Sequence, residues 1–236
     1  MSLKFGVVVF PGSNCDDDVV YVLSEKLHQK VIKLWHKQSD LEKCTHIILP
    51  GGFSYGDYLR SGAIARFSPI MKSIIQHAQK GGFVLGICNG FQILCEAHLL
   101  PGVLLHNTNC RFICKNVYIV PSQYSTILTK HLPKNKKTYQ IPIAHAEGNY
   151  YADADTLKAL QDNEQILFQY SDEAGNIIEQ ANPNGSLLNI AGVCNAQKNV
   201  FGMMPHPERA ADPELRNTDG VYIFQSIIES ALLPIS

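Results

Sequence analysis

The stretch GFVLGICNGFQIL, Gly82 to Leu94, leaves few folds open. Phe83 to Ile87 is short, apolar and β-prone, as a parallel strand buried on both faces must be. Phe91, Leu94 and Cys95 then recur at helical spacing. The same alternation fills the first hundred residues. KFGVVVF (4–10), VIKLW (31–35) and THIILP (45–50) read as strands. CDDDVVYVLSEKLHQ (15–29) reads as a helix with three acids in its first turn, where the helix dipole favours them. SPIMKSIIQHAQKGG (68–82) is an amphipathic helix with Pro69 at its start and glycines at its end. Alternating β and α segments predict a doubly wound α/β domain of flavodoxin-like or Rossmann-like type. Its central sheet should be mixed, mostly parallel and flanked by helices.

The second half changes character. RFICKNVYIV (111–120), YQIPIAHAEG (139–148) and QILFQYSD (165–172) read as strands, with one short capped helix, DADTLKALQDN (153–163), between the last two. AGVCNA (191–196) and VFGMMP (200–205) read as a paired hairpin, and DGVYIFQSIIESALL (219–233) as a closing helix. Residues 121–138 carry no motif. With no repeats, low-complexity tracts or long linkers, residues 1–236 are expected to form one domain.

Composition narrows the function classes. A net charge of -1 gives no electrostatic footprint for nucleic acid or a membrane surface. No apolar run approaches the roughly 20 residues of a transmembrane helix, and the N-terminus lacks the pattern of a signal peptide. Seven cysteines, odd in number and scattered, suit reduced thiols in a cytoplasmic enzyme better than a disulfide framework. Cys110 and Cys114 have no second pair at ligand spacing, so no metal site is expected.

Cys88 stands at the strand-to-helix junction within Gly86-Ile87-Cys88-Asn89-Gly90, the shape of a nucleophile elbow with cysteine in the serine position. A helix N-terminus there favours its thiolate. PGGFSYGD (50–57) lacks the lysine of a phosphate-binding loop, but glycines after a strand expose backbone N–H groups. The N–H groups of Gly52 and Asn89 would make a two-donor oxyanion hole. MMPHPE (203–208) supplies a base, His206, and an orienting acid, Glu208. Two residues apart in an extended segment, both would project to one face.

These three motifs resemble the oxyanion strand, nucleophile elbow and His-Glu pair of class I glutamine amidotransferases. More narrowly, FPGSNCDDD, GGFSYGDYLRSGAIA, GICNGFQIL, IPIAHAEGNYY and GMMPHPER resemble the glutaminase-subunit family of phosphoribosylformylglycinamidine synthase, an enzyme of de novo purine synthesis. The likeness runs from Phe5 to about Ser230. It implies that Cys88 attacks glutamine to form a thioester, with His206 as acid and base, Glu208 orienting it, and Gln92 helping to grip the substrate. It implies no cofactor on this chain. ATP and Mg would be used by a large synthetase subunit that aminates formylglycinamide ribonucleotide, with a small third subunit bridging the two. HAEGNYY (145–151) is a candidate partner contact, because His145 and Glu147 share a strand face without an obvious core role.

Two other readings compete. A stand-alone cysteine hydrolase with a similar elbow would carry histidine beside the cysteine, where this chain has Asn89. A silent amidotransferase-like binding module would lack a catalytic residue, and Cys88, His206 and Glu208 are all present.

Overall fold

The computed structural model describes residues 3–232. In chain order the elements are strand β1 (Phe5–Val9), helix α1 (Asp16–Tyr21), β2 (Val31–Trp35), β3 (His46–Leu49), α2 (Pro69–Gln79), β4 (Phe83–Ile87) and α3 (Asn89–Glu96). Then come β5 (Val103–Leu105), β6 (Ile113–Pro121), β7 (Tyr139–His145), β8 (Asn149–Tyr151), α4 (Ala154–Asp162), β9 (Ile166–Ser171), β10 (Ile190–Cys194), β11 (Val200–Met203) and α5 (Val221–Leu232). Nine strands form one sheet in the order β2-β1-β3-β4-β11-β10-β9-β6-β7. The pairings from β2 to β11 are parallel and the four beyond it antiparallel, so all strands except β10 and β6 point the same way. The expected α/β architecture is what forms.

Burial explains the layout. Every residue of β4 is buried, as its unbroken apolar run requires for a strand with parallel neighbours on both sides and helices on both faces. Helix α2 turns Ile70, Met71, Ile74 and Ala78 inward, a stripe at helical spacing. Helix α3 is buried all round. It comes so close to the sheet that a Cβ on Gly90 would stand 1.9 Å from the Leu49 carbonyl oxygen, and one on Gly86 would stand 2.5 Å from the Gly90 carbonyl carbon.

Several expectations change. The helix expected over 15–29 ends as regular α-helix at Tyr21 and continues as a wider π turn over Val22–Lys26. The Ser24 hydroxyl donates to the Val20 carbonyl at 2.8 Å, a back-bond that loosens helical spacing, and the Leu27 N–H reaches Val22 instead. A small second sheet, β5 with β8, was not legible in the sequence. Residues 122–138 contain no regular element among the described residues, yet they seat α5: Ser226 donates to the Ile127 carbonyl and accepts from the His131 N–H, beside buried Leu128 and Leu132.

Three strand ends, Gly51–Gly52 after β3, Cys88 after β4 and His206 after β11, come together at one edge of the sheet, because their strands are neighbours running in one direction. In open α/β sheets this edge is where ligands bind. Gly90→Ala should lower unfolding free energy by roughly 3 kcal/mol or more, since the Leu49 carbonyl cannot yield as a side chain could. Gly81→Ala, which meets open space at φ +85°, should cost only about 1 kcal/mol. Urea denaturation of the two variants checks the difference.

Candidate active site

Cys88 sits between β4 and α3 with φ +49° and ψ -105°, a strained conformation for a residue with a side chain. Its N–H donates to the Met203 carbonyl at 2.8 Å, which pins the turn to β11. The surrounding packing over-determines the strain, as at the glycines just described. The side chain is 4 % exposed, and its thiol points to the Ala144 carbonyl at 3.8 Å. It opens onto a cleft of about 200 Å³, whose wall includes Gly52, Asp57, Gln92, His145 and Glu147.

His206 and Glu208 are both buried, with Nδ1 of the imidazole 2.6 Å from Oε1 of the carboxylate. A carboxylate can only accept, so Nδ1 carries the proton and Nε2 is free to face the thiol. The extended segment expected here does not form. Pro207 opens a 3-10 turn over Pro207–Arg209, closed by the Arg209 N–H on the His206 carbonyl at 3.1 Å. Proline's fixed φ suits the first position of such a turn, so the pair meets through a turn rather than through strand alternation. Burial opposes charge on His206, but the Glu208 carboxylate and then Cys88 outweigh it and hold the imidazole well above its ordinary pKa. Nε2 has no hydrogen-bond partner of good geometry.

Gly51 leaves no room beside this ring: a Cβ there would stand 2.6 Å from Cε1 of His206. Gly52, at φ +140°, pairs with Ser13 in an isolated antiparallel bridge. The flanking bond from the Phe53 N–H to the Gly12 carbonyl at 3.0 Å makes it a non-hydrogen-bonded pair. The Gly52 N–H therefore points away from its bridge partner, and Gly52 itself lines the cleft. Asn89 is the first residue of α3, where an N–H has no carbonyl ahead of it in the helix.

The Asn89 side chain accepts from the Ser54 N–H at 3.2 Å and donates to Gln92 Oε1 at 2.9 Å. Gln92 in turn donates to the Glu147 carbonyl at 2.6 Å. Gln92 lines the cleft as expected of a substrate contact, but it also ties α3 to the opposite wall. Asp57 faces the same space. Burial, reinforced by the charge of Glu147, lifts its pKa to about 6. Glu147 accepts from the Ser61 N–H at 3.2 Å, and no Lys or Arg lines the cleft.

Within the candidate partner segment 145–151, His145, Gly148 and Tyr150 turn inward, while Ala146 and Tyr151 stay exposed. His145 is buried in the cleft wall. Its loop is held from beneath by Asn184 and Ser186, which donate to the Gly148 carbonyl at 2.8 and 3.1 Å. In the sequence NPNGS read only as a loop, because asparagine and serine are ordinary turn residues; their burial was invisible. Cys15 was also missed. Its sulfur lies beside His206 and Glu208 and accepts from Arg209 at 3.1 Å, and Arg209 also bonds Asp18 at 3.2 Å. Burial raises the Cys15 thiol pKa. Among the described residues, Cys15, His206 and Glu208 form the one trio within metal-ligand reach, but a guanidinium already occupies the cysteine's side. Cys110 and Cys114 are exposed.

The family model of the CobB/CobQ-like glutamine amidotransferase domain matches residues 2–220. Phosphoribosylformylglycinamidine synthase subunit PurQ of Synechocystis sp. is 56 % identical, covering 94 % of this chain and 99 % of that one. The same subunit of Koribacter versatilis is 53 % identical over 96 % of this chain and 97 % of its own. The solved structure of PurLQS from Thermotoga maritima contains a chain that is 40 % identical and superposes with a TM-score of 0.85, covering 98 % of this chain and all of that one. With a buried cysteine on an elbow, a His-Glu pair beside it and this likeness along nearly its whole length, the chain belongs to the glutamine amidotransferases, within the PurQ family of phosphoribosylformylglycinamidine synthase subunits.

Proposed function

We propose that this chain hydrolyses glutamine to glutamate and ammonia and passes the ammonia to an ATP-dependent synthetase subunit, which converts formylglycinamide ribonucleotide to formylglycinamidine ribonucleotide. The observation that carries the reading is the Cys88 elbow opening onto one small cleft, with the buried His206–Glu208 pair near enough that the imidazole responds to Cys88. A carboxamide is a poor electrophile, and a thioester divides its hydrolysis into two easier steps. Cys88 sulfur attacks the side-chain carbonyl carbon. The Gly52 and Asn89 N–H groups receive the oxyanion, each such donor being worth roughly 3 kcal/mol. His206, held protonated chiefly by the Glu208 carboxylate, carries the proton that Cys88 sheds on becoming the attacking thiolate; it gives that proton to the departing nitrogen and then takes one from the water that releases glutamate. Glu208 holds the imidazole in one tautomer.

Asp57 and Glu147 give the cleft a negative wall suited to the α-ammonium group of free glutamine. This chain has no phosphate-binding loop, so ATP and Mg belong to the synthetase partner, and a small third subunit completes the complex. The PurLQS structure, in which a similar chain occurs, supports that assignment of partners. Seven free thiols fit a reducing cytoplasmic setting, and no helix among the described residues is long and apolar enough to cross a membrane.

Cys88→Ser should abolish glutamine-dependent synthesis by the assembled complex and leave ammonia-dependent synthesis within about twofold of normal, because the cysteine only generates the ammonia. Steady-state product formation with each nitrogen source measures this, and parallel loss of both in an assembled complex would refute the division of labour. A pH dependence follows from Asp57. Its folded pKa is raised, so it is charged above about pH 6 and neutral below. KM for glutamine should therefore rise as pH falls through 6, while Asp57→Asn should show a raised KM that is flat over the same range. A wild-type KM independent of pH between 5 and 7.5 would remove Asp57 from substrate binding.

A further inference from the structure

His145 ends β7 and stands in the wall of the cleft onto which Cys88 opens. Its Nδ1 lies 3.1 Å from Oδ1 of Asn107. The orientation of that amide follows from its other bonds. Its Nδ2 donates to the carbonyls of Arg111 and His145 at 2.8 and 2.9 Å, and its Oδ1 accepts the Gly148 N–H at 3.1 Å. An amide oxygen only accepts, so Nδ1 of His145 carries the ring proton. Burial, and then the charge of His206, push the His145 pKa down to about 4, so at neutral pH the ring has that one N–H. Nε2 is therefore a bare lone pair, buried and without a partner. A buried acceptor left unpaired calls for a donor in the occupied site.

A bound carboxamide brings such a donor. Its oxygen belongs to the Gly52 and Asn89 N–H groups, and its nitrogen lone pair to the proton of His206. That leaves the N–H hydrogens, which need acceptors among the groups lining the cleft. The Ala144 carbonyl faces the thiol at 3.8 Å, and His145 follows it in the chain and lines the same cleft as the sulfur.

We propose that Nε2 of His145 accepts an N–H of the substrate's carboxamide nitrogen and holds that nitrogen while the C–N bond breaks. The inference rests on the glutaminase function above. His145 exchanges no proton: His206 protonates the nitrogen, the C–N electron pair goes to it, ammonia departs, and the acyl carbon stays on Cys88 sulfur. By fixing the N–H hydrogens, His145 turns the nitrogen lone pair toward His206, and it stays neutral throughout.

His145→Asn keeps an amide near the place of Nδ1 and leaves nothing at the place of Nε2. In the assembled complex, glutamine should be compared with glutamic acid γ-methyl ester, whose leaving oxygen bears no N–H. The expected result is a loss of about tenfold in kcat/KM for glutamine, the size of one net hydrogen bond, mostly in kcat. The ester should stay within about twofold. His145→Gln, which returns an acceptor oxygen near the place of Nε2, should recover part of the loss. Equal losses on the two substrates, or no loss on glutamine, would overturn the proposal. Imidazole 15N NMR of the full chain carrying Cys88→Ser reads the same nitrogen with His145 intact. Nε2 should be unprotonated and should shift when glutamine is added; a protonated Nε2, or one that saturating glutamine leaves unmoved, would overturn it. A wild-type complex that releases no glutamate from glutamine would overturn both this proposal and the function beneath it.

Discussion

The contact between Gly90 at the head of α3 and the Leu49 carbonyl at the end of β3 sets the position of the whole site. Because nothing larger than hydrogen fits there, the helix sits hard against the sheet. The chain can then pass from β4 into α3 only through a turn as abrupt as the one at Cys88. That turn raises the sulfur out of the sheet and places the Asn89 N–H at a helix start with no internal acceptor. The Cys88 N–H on Met203 fixes the elbow to β11, whose continuation carries His206. Nucleophile and base are thus held by a packing constraint between backbone atoms.

Around this rigid centre the cleft is built from loops, each tied by polar groups that are themselves buried. Asn89 and Gln92 join the 53–57 loop to α3 and α3 to the Glu147 carbonyl. Asn107, Asn184 and Ser186 hold the 145–150 loop. Such bonds are stronger in a dry interior than in water, and they make the cleft wall precise without large apolar contacts. The atoms left over are informative in the same way. Nε2 of His206 and Nε2 of His145 are buried without partners; His145 lines the cleft of Cys88, and His206 is held near enough to respond to its sulfur. A folded protein leaves few polar atoms in that condition, and the one on His145 lies in a residue of the cleft wall, where a substrate could complete it.

Arg209 and Cys15 add a second layer. The guanidinium bridges Asp18 on α1 and the Cys15 sulfur beside the His-Glu pair. The first helix is thereby linked to the turn that follows β11. The acids of α1, which in the sequence read as dipole partners of a helix start, also serve this bridge and an ion pair from Asp16 and Asp17 to Lys33.

The motifs GICNGFQIL, PGGFSYGD and MPHPE were legible because each is local: strand, turn and helix signals lie next to one another in the chain, and the glycines mark where a Cβ would collide. The α/β architecture was legible for the same reason, since burial on two faces writes itself as a continuous apolar run in β4. What the sequence could not carry was anything set by contacts between distant segments. The Asn107–His145 and Asn184–Gly148 bonds join residues 38 and 36 positions apart, and each partner alone reads as an ordinary turn or strand residue. The inward turn of His145, the tautomer of its ring, the approach of Cys15 to His206 and the turn that brings Glu208 to Nδ1 all depend on burial and on fixed hydrogen-bond partners. Local chemistry determined which residues could react; only tertiary packing decided where each lone pair and N–H would point.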